Sequence, residues 1–231
     1  MPAIPVLRSP KIIVMSDFDG TIALDDTGNV ICDYCISTKR REAIDSQYLS
    51  GKITWRQRQE QCWNPIKMPW IQAVSLLKDC RVDPYFSQVI SWCAEHNVPF
   101  GVVSAGMQNL IQLVFKRNLT QQELSYLEVF SNTAEIGKND KWTVTFADDS
   151  DLGHDKARTI EKVKERYQVT PKVVYLGDGV SDVASAKRAD YLFARRGLDL
   201  DKWCIENNVA HEAFDDFAYV AKRLEEINQE L

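Results

Sequence analysis

The sequence predicts an α/β fold in which a parallel sheet is covered by helices on both faces and a small helical segment follows the first strand. The first observation is three short runs of apolar and β-branched residues, at 11–17, 98–104 and 172–178, each ending in Ser or Asp. The second is that helical patterns separate these runs. Strands that alternate with helices form parallel sheets with helices on both faces.

The segments between and after the predicted strands show the spacing of amphipathic helices. Apolar residues recur at helical intervals over 83–96, 157–167 and 214–227, so we expect a helix in each segment. The stretch 133–150 contains alternating apolar and polar residues together with turn residues such as Gly137. This combination predicts a β-hairpin.

The segment 28–80 has a different character from the rest of the chain. It is rich in Trp, Arg, Lys and Gln and shows no strong strand pattern, and it is too long to be a simple loop. We therefore expect an α/β core domain made of residues 1–27 and 81–231, and a helical domain made of residues 28–80 that sits above the sheet.

The composition argues against several classes of function. The net charge of −5 and the pI of about 5.3 do not suit a nucleic-acid-binding surface. No apolar run approaches the roughly 18 residues of a membrane span, and the N-terminal sequence does not resemble a signal peptide. The six cysteines are therefore expected to be reduced thiols in the cytoplasm. We expect neither a nucleic-acid nor a membrane partner, and the sequence does not indicate the number of subunits.

Cys32 and Cys35 form a C-x-x-C pair, a spacing that suits zinc or redox chemistry. No second such pair and no nearby histidine in the sequence completes a set of zinc ligands. We therefore interpret the two cysteines as thiols that are wholly or partly buried.

Two acidic residues, Asp17 and Asp19, stand at the end of the first predicted strand. At this spacing their side chains point the same way in an extended chain, so the carboxylates repel each other unless a positive charge lies between them. Ser104 and Asp178 end the other two strands. Because ligands bind such sheets at the carboxyl ends of the strands, we expect these polar groups to meet in one crevice.

Four short motifs follow one another along the chain: DFDGT at 17–21, VVSAG at 102–106, HDKA at 154–157 and GDGVSD at 177–182. Their order resembles that of the haloacid dehalogenase (HAD) superfamily of phosphatases. The resemblance implies a HAD-like Rossmannoid fold, a three-layer α/β/α core with a parallel sheet and a helical cap inserted after the first strand. Each motif alone is a weak signal, but the ordered combination is specific.

The resemblance also implies roles for individual residues. Asp17 is the expected nucleophile, Asp19 the general acid and base, and Lys156 the cation that neutralises the nucleophile and the phosphoryl charge. Mg²⁺, which prefers oxygen ligands, would be held by carboxylates of Asp17 and Asp178 and by the backbone carbonyl of Asp19. Asp182 would cap the following helix or orient the water ligands of the metal. The expected phosphate-binding residues of the core are Gly20, Thr21, Ser104, Ala105 and Gly106.

The position of the insert, directly after the first motif, resembles the cap of the phosphoserine-phosphatase-like branch. Its segment YLSGKITWRQRQEQ and a stretch near the C-terminus, ADYLFARRGLDLDKWCIENNVAHEAFDDFAYV, are similar to enol-phosphate phosphatases of methionine salvage. Phosphoserine phosphatases carry a Glu early in the cap that holds the substrate ammonium. In this sequence Asp25 or Asp26 would have to take that place.

Four residues of the insert are candidates to contact the substrate. Arg56 and Arg58 carry guanidinium groups that suit carboxylate or phosphate oxygens, and Trp55 and Trp63 would exclude water from a closed site. The alternative is a solvated helix face with its aromatic residues packed inward. A cap that closes over the site favours a small metabolite over a phosphoprotein.

These observations predict a Mg²⁺-dependent phosphomonoesterase that hydrolyses a small-molecule phosphate ester through an aspartyl-phosphate on Asp17. The second acid of the first motif, Asp19, separates phosphatases from dehalogenases in the superfamily the sequence resembles. Two alternatives remain open. One is a phosphomutase or phosphotransferase that uses the same phospho-aspartate, and the other is a binding protein that retains the fold without catalysis.

Overall fold

Seven strands form one central sheet in the computed structural model, which describes residues 10–231. The strands are β1 (Ile12–Ser16), β2 (Phe100–Met107), β3 (Leu127–Ile136), β4 (Trp142–Thr145), β5 (Lys172–Gly177), β6 (Tyr191–Arg195) and β7 (Glu212–Phe214). Their spatial order is β4-β3-β2-β1-β5-β6-β7. Every neighbouring pair is parallel except β3 and β4. The predicted parallel sheet is therefore confirmed.

The helices surround the sheet and the segment that follows β1. They are α1 (Thr27–Ile36), α2 (Thr38–Leu49), α3 (Trp55–Trp63), α4 (Trp70–Leu76), α5 (Phe86–His96), α6 (Gln108–Asn118), α7 (Gln121–Tyr126), α8 (Lys156–Lys164), α9 (Val183–Ala186), α10 (Asp199–Glu206) and α11 (Phe217–Glu230). Within residues 10–231, none of these helices has both the length and the apolar character that a bilayer crossing requires.

The central strand β1 divides its side chains between two apolar layers. Ile12 and Val14 pack into one cluster with residues of α5, α6 and α11, whereas Ile13 and Met15 pack into a second cluster with residues of α8, α9 and α10. Successive side chains of a strand point to opposite faces, so a strand buried on both faces is apolar at every position. This arrangement confirms the predicted three-layer α/β/α core.

Four helices, α1 to α4, occupy the chain between β1 and α5. Polar side chains begin two of them. Asp26 accepts a hydrogen bond from the Asn29 N–H at the start of α1, and Thr54 and Gln57 form a capping box at the start of α3. Buried residues of this segment, such as Ile31 and Trp63, belong to the same apolar cluster as one face of the sheet. The helical segment is thus packed against the core.

The β3–β4 hairpin supports the helical segment from the edge of the sheet. Its turn is closed by a 2.9 Å hydrogen bond from the Gly137 N–H to the Lys141 carbonyl. Trp142 is buried, lies 6.0 Å from the ring of Trp70 in α4, and donates its indole N–H to the Met68 carbonyl at 2.8 Å. The edge hairpin therefore fixes the last helix of the inserted segment.

Candidate active site

The candidate site lies at the carboxyl ends of three adjacent strands. Asp17 directly follows β1 and Asp178 directly follows β5, and these strands pair in parallel. Ser104 lies in β2 where the pairing with β3 changes register, between Val103 and Met107. An irregularity of this kind bends a strand locally, and here it falls on the residues of the second motif.

A buried ion-pair network links Asp17 to the third and fourth motifs. The Nζ atom of Lys156 lies 2.8 Å from Asp17 Oδ1 and 2.7 Å from Asp182 Oδ1. All three side chains are buried. Burial raises the pKa of Asp17 to about 7 although Lys156 pulls it down. Burial also disfavours the charge on Lys156, but the two carboxylates outweigh this and raise its pKa. The lysine is therefore a permanent cation beside Asp17.

Asp182 holds the loop that carries Asp178. Its Oδ1 accepts hydrogen bonds from Lys156 and from the Tyr175 hydroxyl, and its Oδ2 accepts from the N–H groups of Asp178 and Gly179. With both oxygens engaged in this way, Asp182 is better suited to position its neighbours than to bind a ligand directly.

The carboxylates of Asp17, Asp178 and Asp182 offer oxygen atoms that all lie within 4.8 Å of one another. Burial and the two neighbouring carboxylates raise the pKa of Asp178 to about 9. A Cβ atom on Gly20 would lie 2.3 Å from Asp178 Oδ2, and Gly20 has a φ of +78°. Glycine is therefore required for this close approach. A cluster of hard oxygen ligands with excess negative charge fits a Mg²⁺ ion.

The loop of the first motif is held from behind by polar contacts. The Thr21 hydroxyl donates to Asp178 Oδ1 at 3.0 Å. The Thr21 carbonyl accepts from Nε and Nη2 of Arg195, which is buried and paired with Asp83 at 2.7 Å. Thr21 therefore supports the loop. Gly20 and Thr21 are not among the residues that line the cavity described below.

Asp19 is held by the start of α1. Its Oδ1 accepts from both the N–H and the hydroxyl of Thr27, each at 2.7 Å. Its Oδ2 lies on the other side, because a Cβ on Gly106 would be 2.8 Å from that atom. Burial, together with the charge of Asp26, raises the pKa of Asp19 well above its usual value. A carboxyl group with a raised pKa is able to donate a proton near neutral pH.

The backbone of the second motif is fixed by three side chains. Nδ1 of His154 donates to the Ser104 carbonyl at 2.7 Å, while its Nε2 faces the Thr159 hydroxyl at 2.9 Å. Burial lowers the pKa of His154, which keeps the ring neutral. The Ala105 carbonyl accepts from Gln59 at 2.7 Å and from Asn132 at 2.8 Å. These contacts orient the Ser104 hydroxyl, which also accepts from the Gly106 N–H.

A cavity of about 310 Å³ lies between these strand ends and the helical segment. From the core its wall includes Asp17, Asp19, Ser104, Ala105, Gly106, Lys156 and Asp178. From the helical segment it includes Trp55, Arg58 and Trp63, as expected, and also Asp26, Asn29, Asp45, Tyr48 and Gln59. The structure therefore brings most of the expected site residues to one cavity.

Arg56 does not line this cavity. It donates to the Asp148 carbonyl at 3.1 Å, pairs with Glu60 at 3.2 Å, and lies 4.5 Å from the centre of the Phe146 ring. Arg56 and Arg58 are two residues apart, which separates their side chains by about 200° around a helix. Only one of them can face the site, and it is Arg58.

Several site residues were missed from the sequence. Gln59 reaches from α3 to the second motif, and its place on the same helix face as Trp55 and Trp63 is a signal that could have identified it. His154 directly precedes the third motif but forms no sequence pattern of its own. Thr27 and Asp45 carry no local signal, because their partners are brought to them only by the fold.

Together, the fold and the site define an α/β protein with a paired aspartate motif at the end of a parallel strand and a buried lysine beside it. The family model of haloacid dehalogenase-like hydrolases matches residues 14–187. The chain belongs to this family, and the resemblance noted in the sequence is confirmed.

Several relatives that match over more than nine-tenths of this chain are named phosphatases. Polyol phosphate phosphatase PYP1 of Saccharomyces cerevisiae is 32% identical over 226 residues, covering 94% of each chain. Pdp3-interacting factor 1 of Schizosaccharomyces pombe is also 32% identical, covering 95% of this chain and 97% of its own. A 2-hydroxy-3-keto-5-methylthiopentenyl-1-phosphate phosphatase of Brevibacillus brevis is 25% identical, covering 96% and 99%. The expected enzyme class, a phosphatase of this family, is confirmed.

Among solved structures, a substrate-bound phosphoserine phosphatase superposes with a TM-score of 0.71. It is 16% identical in sequence and covers 94% of this chain and 99% of its own. The similarity shows a shared fold and confirms the predicted HAD-like architecture.

Proposed function

We propose that this phosphatase is a Mg²⁺-dependent phosphomonoesterase that hydrolyses a small phosphorylated metabolite through an aspartyl-phosphate on Asp17. One observation carries the proposal. Lys156 bridges Asp17 and Asp182 in a buried network, with the Asp178 carboxylate within 4.8 Å of both acids and the cavity above them. This is the charge arrangement that phosphoryl transfer to a carboxylate requires.

Asp17 is the proposed nucleophile because its carboxylate lines the cavity and is buried beside a cation. Its oxygen attacks phosphorus as the ester oxygen leaves on the opposite side, and the bond to the leaving oxygen breaks as the bond to Asp17 forms. Lys156 stabilises the charge of the carboxylate before attack and that of the phosphoryl oxygens during transfer. The Ser104 hydroxyl is placed to donate to one of those oxygens.

The proposed ligands of Mg²⁺ are the carboxylates of Asp17 and Asp178 and the backbone carbonyl of Asp19. When bound, the ion supplies charge neutralisation at the acids and at a phosphate oxygen. Asp182 contributes by fixing Lys156 and the N–H groups of the Asp178 loop, and we assign it this positioning role.

Asp19 is the proposed general acid and base. In the protonated form, which its raised pKa favours, it donates a proton to the leaving alcohol oxygen. The resulting carboxylate then takes a proton from the water that attacks the phosphorus of the aspartyl-phosphate, which releases inorganic phosphate and regenerates Asp17. The same side chain therefore serves both half-reactions.

The substrate is proposed to be small because the helical segment, residues 28–80, covers the site as a cap over a cavity of about 310 Å³. The names of two relatives point to phosphorylated polyols and to a phosphorylated keto compound as the first substrates to test. A cytoplasmic location is also part of the proposal, since all six cysteines, including Cys32 and Cys35, are free thiols.

Phosphate release by purified protein tests the proposal. With p-nitrophenyl phosphate and a panel of small monophosphates, we expect turnover with Mg²⁺, loss of turnover after EDTA, and recovery when Mg²⁺ is added back. Asp17→Asn should reduce turnover by at least about a thousandfold. Asp149→Asn, at a side chain that is 97% exposed, is the matched control.

Normal turnover in Asp17→Asn would overturn the nucleophile assignment, and indifference to EDTA would overturn the metal site. Acid-quenched wild-type enzyme should carry a phosphoryl group on the peptide that contains residue 17. Adding a free alcohol separates hydrolysis from phosphotransfer, because a phosphotransferase would make a new ester and a phosphatase would still release inorganic phosphate.

A further inference from the structure

We propose that the Asp45–Arg58 pair makes the leaving-group side of the cavity favour hydroxyl-bearing leaving groups and reject leaving groups that carry a carboxylate or a second phosphate. The inference rests on the proposed phosphomonoesterase function and adds the chemistry of the group that leaves. It also changes the role expected of Arg58, whose guanidinium was a candidate to bind an anionic group of the substrate.

The charge of Arg58 is already balanced within the protein. Its Nε donates to Asp45 Oδ1 at 2.7 Å, its Nη2 donates to Asn29 Oδ1 at 2.9 Å, and its side chain is only 7% exposed. The guanidinium also lies 5.0 Å from the centre of the Trp55 ring. An arginine whose charge is balanced by a carboxylate in this way attracts a second anion less strongly than a free arginine does.

The remaining charges of this side of the cavity are negative. Among residues 10–231 that line the cavity, the cations are Arg58 and Lys156, and Lys156 belongs to the phosphate end. Asp26 and Asp45, in the segment before α1 and in α2, both line the cavity. Arg41 binds Asp45 from outside the cavity wall, at 2.8 Å, and is itself paired with Asp33. A carboxylate on the leaving group would thus be desolvated beside two acids without a cation of its own.

Buried polar atoms at the cavity wall suit hydroxyl groups. The indole N–H groups of Trp55 and Trp63 and the Oε1 atom of Gln59 are buried and have no hydrogen-bond partner within residues 10–231, and all three residues line the cavity. Two donors and one acceptor complement a hydroxyl, which both donates and accepts.

Glycerol phosphate and phosphoglycerate form a matched pair of probes, since they differ by a hydroxymethyl group in place of a carboxylate. For the wild-type holoenzyme we expect kcat/KM at least about tenfold higher for glycerol phosphate. Asp45→Asn removes the carboxylate that balances the charge of Arg58. It should raise kcat/KM for phosphoglycerate and so reduce the ratio of the two kcat/KM values at least about threefold. Asp33→Asn also removes a partner of Arg41 but touches neither Arg58 nor the cavity, so its ratio should equal that of the wild type.

Equal or better hydrolysis of phosphoglycerate by the wild type would overturn the inference. Calorimetric binding of both probes to Asp17→Asn protein gives the same comparison without turnover, and a Kd ratio below about threefold would also overturn it. This measurement does not need Asp45→Asn to fold. Absence of phosphate release from every ester, with the binding preference intact, would instead refute the proposed function and leave the inference standing.

Discussion

Metal-free protein should lose stability as the pH rises from about 4 to about 7, and Asp17 should be a main cause. Burial raises the pKa of Asp17 from 3.8 to about 7, so the folded protein binds this proton more tightly than the unfolded chain does. The folded state is therefore favoured at low pH, and this contribution is lost as the pH climbs from the unfolded to the folded pKa. An acid in a simple surface ion pair shows the opposite pH dependence, because the ion pair lowers its pKa in the folded state and its contribution to stability is lost as the pH falls.

The size of the effect follows from the two pKa values. A rise from 3.8 to about 7 corresponds to about 4 kcal/mol of lost unfolding free energy near pH 7.5. Asp17→Asn has nearly the same shape as the protonated residue and carries no charge at any pH. The variant should therefore be more stable than the metal-free wild type by about this amount near pH 7.5, and should match it near pH 4.

Urea unfolding in EDTA, followed by tryptophan fluorescence, measures this difference at several pH values. Asp149→Asn, in a fully exposed position, should follow the wild type throughout. If the free energies of unfolding of the wild type and Asp17→Asn change in parallel from about pH 4 to 7.5, the ionised Asp17 carboxylate does not destabilise the fold and the electrostatic account of the site is wrong.

Three further substitutions test individual contacts. Lys156→Met should lower kcat by at least about a hundredfold, because it removes the buried cation of the site; a value near that of the wild type would contradict the role of Lys156. Gly20→Ala should destabilise the protein by about 1 to 3 kcal/mol and weaken Mg²⁺ binding, because its Cβ would lie 2.3 Å from Asp178. Thermal melts with and without Mg²⁺ measure both effects, and unchanged melting temperatures would refute the steric argument. Gln59→Leu removes the hydrogen bond to the Ala105 carbonyl and should raise KM several-fold more than it changes kcat, whereas unchanged kinetics would show that this contact does not shape the site.

The core of the fold could be predicted from the sequence because its signals are local. The strand β1 is apolar at each position from Ile12 to Met15. Such a continuous apolar run is typical of a strand that is buried on both faces. The helix α5 shows its buried stripe at Phe86, Val89 and Cys93. Once strands and helices alternate, the topology itself brings the ends of β1, β2 and β5 together, so the motifs could be placed without knowledge of any contact.

The cap side of the site could be predicted only in part. The pattern of α3 was present in the sequence, since Trp55, Arg58, Gln59 and Trp63 lie on one face of the helix and Arg56 lies on the other. Which face meets the core depends on the neighbouring helices. The partner of Arg58 is Asp45, 13 residues away on α2, and no local pattern reveals such a pair.

The contact between Asp19 and Thr27 joins the chemistry of the core to the position of the cap. Thr27 is the first residue of α1, and both its N–H and its hydroxyl donate to Asp19 Oδ1. Hydrogen bonds to a carboxylate favour its charged form and lower its pKa. Thr27→Val keeps the shape and the N–H donor but removes the hydroxyl, so the pKa of Asp19 should rise further.

The consequence should appear in the second half-reaction, where Asp19 must be a carboxylate to accept a proton from the attacking water. With p-nitrophenyl phosphate, whose leaving group needs little protonation, Thr27→Val should show a burst of nitrophenolate ahead of inorganic phosphate. The acidic limb of its kcat–pH profile should move to higher pH, and kcat near pH 6 should fall about tenfold, the effect of losing a hydrogen bond to a charged group. Thr27→Ser retains the hydroxyl and should behave as the wild type. An unshifted profile in Thr27→Val would mean that Asp19 does not take the proton of the attacking water, since that role ties the rate directly to the hydrogen bonds that hold its carboxylate.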